Sequence, residues 1–149
     1  MIARWKGRIK AGAVSDLPWY FADVLPTLCE LAAVPIPAGL DGISVVPTLL
    51  GKGVQKKHEY LYWELPNYDK ATGKFAGEVP MQAVRMGKWK GVRPKAGGDL
   101  ELYDLSKDIA EKTDVAAKFP AVVKKLEEIC QTARLEPRVQ KDIPNPYWR

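Results

Sequence analysis

The chain has 149 residues, enough for one domain with a core of its own. With 46% hydrophobic and 28% charged residues it lies outside the disordered, collagenous and membrane-spanning classes, and no apolar run approaches the thickness of a bilayer. The 23 basic and 18 acidic side chains leave +5, a balance that suits either a polyanion partner or plain solubility; lysines spread from Lys6 to Lys141 favour solubility.

Taken in order, Met1–Trp5 reads as a short apolar strand that starts without a turn or cap, and no apolar stretch there is long enough for a signal peptide. Gly7 and Gly12 bracket a polar turn. Asp23 stands where a helix cap belongs, with Pro26 in the first turn and Val24, Leu25, Leu28, Leu31 and Ala32 at helical spacing up to Pro35 and Pro37. Leu40-Asp41-Gly42 is a turn, and Ser44 could cap a second, short helix closed by Gly51.

Beyond Gly53 the pattern changes. Glu59 to Leu65 alternates, with Leu61, Trp63 and Leu65 on one face and Tyr60 and Tyr62 on the other, which predicts a strand. Pro66 to Pro80 is a polar loop. Met81–Met86 and Lys88–Arg93 form a predicted hairpin with Gly87 opening a tight turn. Pro94 to Gly98 is a second loop and Leu100–Leu105 a fourth strand. Pro120 starts the last helix, whose apolar stripe runs through Phe119, Val122, Val123, Leu126, Ile129, Cys130 and Ala133. From Glu136 onward the chain is proline-punctuated and reads as a surface tail.

The fold class is therefore α+β: a four-stranded antiparallel sheet with a packed C-terminal helix, preceded by a strand and helices that need another body to bury them. Cys29 and Cys130 match no metal spacing, and whether they pair stays open. His58 is the one histidine, so sites built on several histidines are excluded within one chain; beside Glu59 it reads as a solvated strand edge.

Five segments then read together. Ile2-Ala3-Arg4-Trp5-Lys6-Gly7-Arg8-Ile9 resembles the sulfatase stretch in which a strand ends in Trp-Pro-Gly-x-Ile, with Lys6 in the place of proline. Asp23-Val24-Leu25-Pro26-Thr27-Leu28 is similar to that family's Asp-x-x-Pro-Thr-Leu helix, and Leu40-Asp41-Gly42-Ile43-Ser44 to its Leu-Asp-Gly-x-Ser segment. Val84-Arg85-Met86-Gly87-Lys88-Trp89-Lys90 resembles its Val-Arg-x-Gly-x-Trp-Lys hairpin. Glu101-Leu102-Tyr103-Asp104-Leu105, with Asp108 and Glu111, resembles its Glu-Leu-Tyr-Asp-Leu-x-x-Asp-x-x-Glu end. The chain is identified as the C-terminal portion of a formylglycine-dependent, arylsulfatase-type sulfatase.

The resemblance implies an alkaline-phosphatase-like α/β parent. Residues 1–53 would be the end of its catalytic domain, 54–135 its small C-terminal domain and 136–149 the tail. The parent would hydrolyse sulfate esters with a formylglycine nucleophile and a bound Ca²⁺, whose residues all precede the matched segment. No catalytic or metal residue is carried over, and no cofactor is expected in this chain. The implied partner is the N-terminal catalytic domain, with a sulfate ester as substrate only in the complete enzyme; no nucleic-acid or membrane partner is expected. A periplasmic or extracellular location is the family expectation, and Met1 would be internal to a longer chain. Cys130-Gln131-Thr132-Ala133-Arg134 imitates the Cys/Ser-x-Pro-x-Arg signature without its proline, on a helix stripe.

The loops Pro66–Pro80 and Pro94–Gly98 are expected at the rim of the substrate cleft, with Glu64, Tyr68, Lys74 and Lys95 as rim residues. Two alternatives are a non-covalent subunit completing a separate catalytic half, and a stand-alone basic module for sulfated glycan or nucleic acid.

Overall fold

Two units divide the chain, Met1–Leu61 and Tyr62–Arg149. The computed structural model describes residues 1–65, 68–69, 74–75, 81–95 and 97–133, with the main chain alone at 68–69 and 74–75. No helix among the described residues is long and apolar enough to cross a membrane.

In the first unit a 3₁₀ turn, Phe21–Asp23, leads into helix α1, Val24–Leu31. Pro26 falls in the first turn, where its missing N–H costs no intrahelical bond. The helix ends by satisfying its own carbonyls: Val34 N–H donates to the Cys29 carbonyl at 3.0 Å and Ala33 N–H to the Glu30 carbonyl at 3.2 Å. That closure needs the left-handed region, and Ala33 takes it with φ 54°. Helix α2, Val46–Leu50, ends at Gly51 with φ 63°, and the Ser44 hydroxyl accepts from Val46 N–H at 3.2 Å.

Two expectations for this unit are corrected. Met1–Trp5 forms no strand; its chain turns so that Arg8 and Ile9 N–H both donate to the Trp5 carbonyl. An apolar run becomes a strand only against a neighbouring ladder, and no described residues offer one. Asp23 precedes α1 as expected, yet its carboxylate makes no cap on that helix and turns elsewhere. The buried side of α1 is Pro26, Thr27 and Cys29, while Leu25 (49% exposed), Leu28 (57%) and Phe21 (88%) form a solvent-facing apolar stripe.

The second unit is built on a sheet ordered β1-β4-β5-β6, with β1 Leu61–Leu65, β4 Met81–Met86, β5 Trp89–Arg93 and β6 Glu101–Asp104. β4 pairs antiparallel with β5, and β5 with β6. The two-residue turn Gly87-Lys88, with Gly87 at φ 58°, sets Met86 opposite Trp89 and hence Gln82 opposite Arg93. A short antiparallel pair, β2 Tyr68–Asp69 with β3 Lys74–Phe75, lies within the segment expected to be all loop.

Helix α3, Pro120–Thr132, covers one face of the sheet with Leu126, Ile129 and Cys130. Val84, Leu102 and Leu126 are fully buried. Gly91 makes this contact possible, since a Cβ there would stand 2.9 Å from Leu100 Cδ2 and 3.0 Å from Leu126 Cδ1. Truncating Leu102 or Leu126 to alanine is worth roughly 2–5 kcal/mol in such a core. Phe119, just before the helix, packs its ring 4.8 Å from that of Trp89. On β1 the alternation holds, but Tyr62 is the residue that turns toward α3; on the opposite face Trp63 (41%) and Leu65 (62%) stay exposed, as befits an edge strand.

Candidate functional site

Four of the five quoted motifs meet in pairs, as two structural clasps. In the first unit Asp23 is completely buried. Its Oδ2 accepts from Tyr20 N–H at 3.0 Å, and its Oδ1 accepts from Ile43 N–H at 2.8 Å and lies 2.8 Å from His58 Nε2. Thr27 donates its hydroxyl to the Asp23 carbonyl at 2.6 Å and accepts from Val45 N–H at 3.0 Å. The Asp-x-x-Pro-Thr and Leu-Asp-Gly-x-Ser segments are thus two sides of one contact. Gly42 is glycine because a Cβ there would stand 1.9 Å from the Ala22 carbonyl oxygen.

His58 is therefore not a solvated strand edge. Its side chain is 9% exposed, bonded to Asp23 and set edge-on to the Tyr20 ring at 5.1 Å. Burying Asp23 drives this arrangement, because a buried carboxylate needs every lone pair engaged. A carboxylate–imidazole pair is half of a nucleophilic triad, but among the described residues no Ser, Thr or Cys side chain bonds His58.

In the second unit the hairpin motif meets the Glu-Leu-Tyr-Asp-Leu motif through ion pairs. Lys88 Nζ donates to Asp104 Oδ2 at 2.8 Å, and Ser106 donates both its hydroxyl and its N–H to Asp104 Oδ1. The Lys88 bond, then the Ser106 bonds, hold the Asp104 carboxyl down at about 2. Lys90 Nζ reaches both carboxylate oxygens of Glu111. Asp108 Oδ2 accepts from Lys112 and Thr113 N–H at 2.8 Å each, a local bond that fixes the turn after β6. Tyr103 donates to Glu101 Oε2 at 2.6 Å, and that bond pushes its phenol up to about 12.

The four rim candidates fall as follows. Glu64 is exposed near the end of β1, and its Oε2 accepts the Tyr62 hydroxyl at 2.8 Å. Lys95 is exposed in the β5–β6 connection, its carbonyl accepting from Gly98 N–H at 3.0 Å. Tyr68 and Lys74 face each other's strand in the β2–β3 pair, and their side chains lie outside the described residues. Met81, where the chain re-enters the sheet, and Arg93, after which the second loop departs, lie at the same end of the β4–β5 pair, since Gln82 stands opposite Arg93.

Local patterning did not disclose Gln82 and Arg93, which bond to each other across β4 and β5 at 3.0 Å. Counting outward from the Gly87 turn would have paired them. Tyr62, which also takes part in this network, has its phenol pushed up to about 12, chiefly by burial and further by its bond to Glu64.

Cys130 does not match a nucleophile. It is 3% exposed, and burial pushes its thiol up, against thiolate formation. Among the described residues no three His, Cys, Asp or Glu side chains converge to hold a metal ion. The described residues thus offer no donor set for the Ca²⁺ that the resemblance assigns to the part of the parent preceding this segment. Cys29 and Cys130 are both buried free thiols.

Comparison with known proteins gives a consistent set of likenesses. The family described as N-sulphoglucosamine sulphohydrolase, C-terminal, matches residues 1–136. The Delta 4,5-hexuronate-2-O-sulfatase of Bacteroides thetaiotaomicron is 38% identical over 107 residues, 71% of this chain and 21% of that protein. The solved structure of a 2-O GAG sulfatase superposes with TM-score 0.62 at 31% identity, over 74% of this chain and 23% of the other. The phosphonate monoester hydrolase of Agrobacterium radiobacter superposes with TM-score 0.57 at 29% identity, again over 74% of this chain and 23% of the other. The chain thus spans 21–23% of the length of these proteins.

Proposed function

Because the chain belongs to the sulfatase family, matching its N-sulphoglucosamine sulphohydrolase C-terminal segment, we propose that it is the C-terminal portion of a sulfuric ester hydrolase, packing beside a catalytic domain and shaping the rim of the substrate cleft. The match over residues 1–136 carries this reading, because it runs through both units. In it, residues 1–53 complete the catalytic domain, 54–135 form the small domain and 136–149 a surface tail. The exposed stripe Phe21, Leu25 and Leu28 fits a helix that awaits a partner surface.

The formylglycine nucleophile and Ca²⁺ belong in this reading to the N-terminal part, where a cation offsets charge growing on the sulfuryl oxygens. This chain contributes the rim. Lys74 and Lys95 supply positive charge for a sulfated sugar, and Glu64 and Tyr68 supply groups that bond its hydroxyls. The 2-O-sulfatase relatives support a sulfated sugar as the substrate class.

A graft tests it. Residues 1–136 would replace the matching segment of the Bacteroides thetaiotaomicron relative, either fused or supplied as a separate polypeptide. Sulfate release from a 2-O-sulfated unsaturated hexuronate is expected in the fused form. Activity from the two separate polypeptides would make the chain a non-covalent subunit. A folded graft that hydrolyses phosphonate monoesters but no sulfate ester would sink the reaction class.

A further inference from the structure

The polar side chains between the sheet and α3 form one directed chain. Arg93 Nε donates to Gln82 Oε1 at 3.0 Å, Gln82 Nε2 donates to the Tyr62 hydroxyl at 2.9 Å, and that hydroxyl donates to Glu64 Oε2 at 2.8 Å. The chain begins on a permanent cation and ends on a carboxylate. Every donor therefore points the same way, and each bond polarises the next. Gln82 is 6% exposed and the Arg93 side chain 14%, so little water competes at that end, while the Tyr62–Glu64 bond closes the chain at the surface. The Gln82 amide cannot flip without loss, because its nitrogen also reaches the Cys130 carbonyl at 3.3 Å.

The same guanidinium has a second arm. Arg93 Nη1 donates to the Gly98 carbonyl, and Gly98 N–H returns to the Lys95 carbonyl, which closes the loop bearing Lys95. Its Nη2 lies 3.8 Å from Glu127 Oε1 on α3. A lysine could serve one of these directions but not all, since only the guanidinium fork has donors pointing several ways at once.

We propose that Arg93 is a positioning residue that couples two sides of the rim, holding Glu64 through Gln82 and Tyr62 and the Lys95 loop through Gly98. That these two sides meet a sulfated ligand rests on the function proposed above; that they are coupled does not.

Amide hydrogen exchange on the full chain tests the coupling. Arg93→Met should speed exchange at Gly98 roughly tenfold, the loss of one well-made bond to a charged group, while Val84 and Leu102 move far less. Tyr62→Phe should also speed Gly98, although Tyr62 does not bond the loop. Arg93→Lys should slow Gly98 again but leave it deaf to Tyr62→Phe. If Arg93→Met fails to fold, Gln82→Met cuts the chain midway, and adding Tyr62→Phe to it should then change nothing at Gly98. Gly98 exchange that ignores Arg93→Met or Tyr62→Phe in a folded protein would overturn the proposal.

In the graft described above, Lys95→Ala and Arg93→Met should both raise KM much more than they lower kcat. A raised KM for Lys95→Ala alone would end the positioning role and leave the rim reading standing. No KM effect from Lys95→Ala would end the rim reading, while the exchange data alone decide the coupling.

Discussion

The Lys90 ammonium lies 2.6 and 2.7 Å from the two carboxylate oxygens of Glu111, a residue whose backbone stands in the left-handed region at φ 54°. Two motifs that are far apart in the sequence meet in that pair. Left-handed geometry costs a side-chain-bearing residue about 1–2 kcal/mol, while a partly exposed pair gives back about 1 kcal/mol at most. Glu111→Ala keeps the strain and loses the pair, so it should destabilise by about 1 kcal/mol; Glu111→Gly loses both and should fall within about 0.5 kcal/mol of the parent chain. Urea unfolding of the two variants decides it, and equal losses would show that φ carries no strain here.

Asp104 should give the second unit an acid limit. Its carboxyl is held at about 2, below the ordinary 3.8, first by Lys88 and then by Ser106. A depressed carboxyl contributes stability that is full above its unfolded value and is lost as pH falls through the folded one. The contribution should be intact at pH 6, begin to fade just below pH 4 and be nearly gone near pH 2. Asp104→Asn should be less stable than the parent at pH 6, with the two urea midpoints converging at low pH. A constant gap from pH 6 to pH 2 would remove Asp104 as the cause.

Two small-residue positions in the first unit should respond with opposite signs. Ala33 takes φ 54° to close α1, a conformation glycine adopts freely, so Ala33→Gly should stabilise by about 1 kcal/mol. Gly42 lets the 40–43 segment press on the Ala22 carbonyl, and a Cβ there would stand 1.9 Å from that oxygen. Gly42→Ala should cost about 1–3 kcal/mol, as other overpacked contacts do, and loosen the bond from Ile43 to Asp23. Thermal unfolding of both variants reads the signs, and a neutral Gly42→Ala would mean that the contact yields easily.

The sequence made the second unit easier to read than the first, for physical reasons. Gly87 dictates a turn, the turn dictates register, and α3 carries its 3.6-residue stripe openly. Asp23 was misread because its partners Ile43 and His58 lie 20 and 35 positions away, beyond any local pattern. Met1–Trp5 has strand composition but no ladder, and composition alone cannot supply one. The Tyr62–Gln82–Arg93 relay is invisible to local patterning because only three-dimensional register brings it together.

Cys130 should prove inert. Its thiol is buried and pushed up by that burial, and the sequence holds no Cys/Ser-x-Pro-x-Arg signature from which formylglycine could be made. With an aryl sulfate and added Ca²⁺ the chain alone should release no sulfate, and a thiol reagent should reach Cys130 only on unfolding. Turnover that survives repurification and disappears in Cys130→Ala would restore it as a nucleophile.

The final expectation concerns how unevenly the chain resists attack. Arg4, Lys6, Arg8 and Lys10 are all exposed, and Met1–Trp5 pairs with no described strand. Helix α1 turns Leu25 and Leu28 outward, with Phe21 beside them at 88% exposure. A unit that leaves this much of its best apolar face in water gains little from folding, and local opening should be frequent. The sheet has Val84, Leu102 and Leu126 sealed, with the α3 contact closing over Gly91. Limited trypsin digestion should therefore cut within residues 1–53 first, while β4 to β6 and α3 survive as one fragment. Substituting Leu25 and Leu28 with glutamine should reduce aggregation of the chain alone without stabilising the sheet. Equal cleavage rates and equal amide protection in both units of a monomer would argue that the α1 face needs no partner, and with it would go the main physical support for a missing catalytic domain.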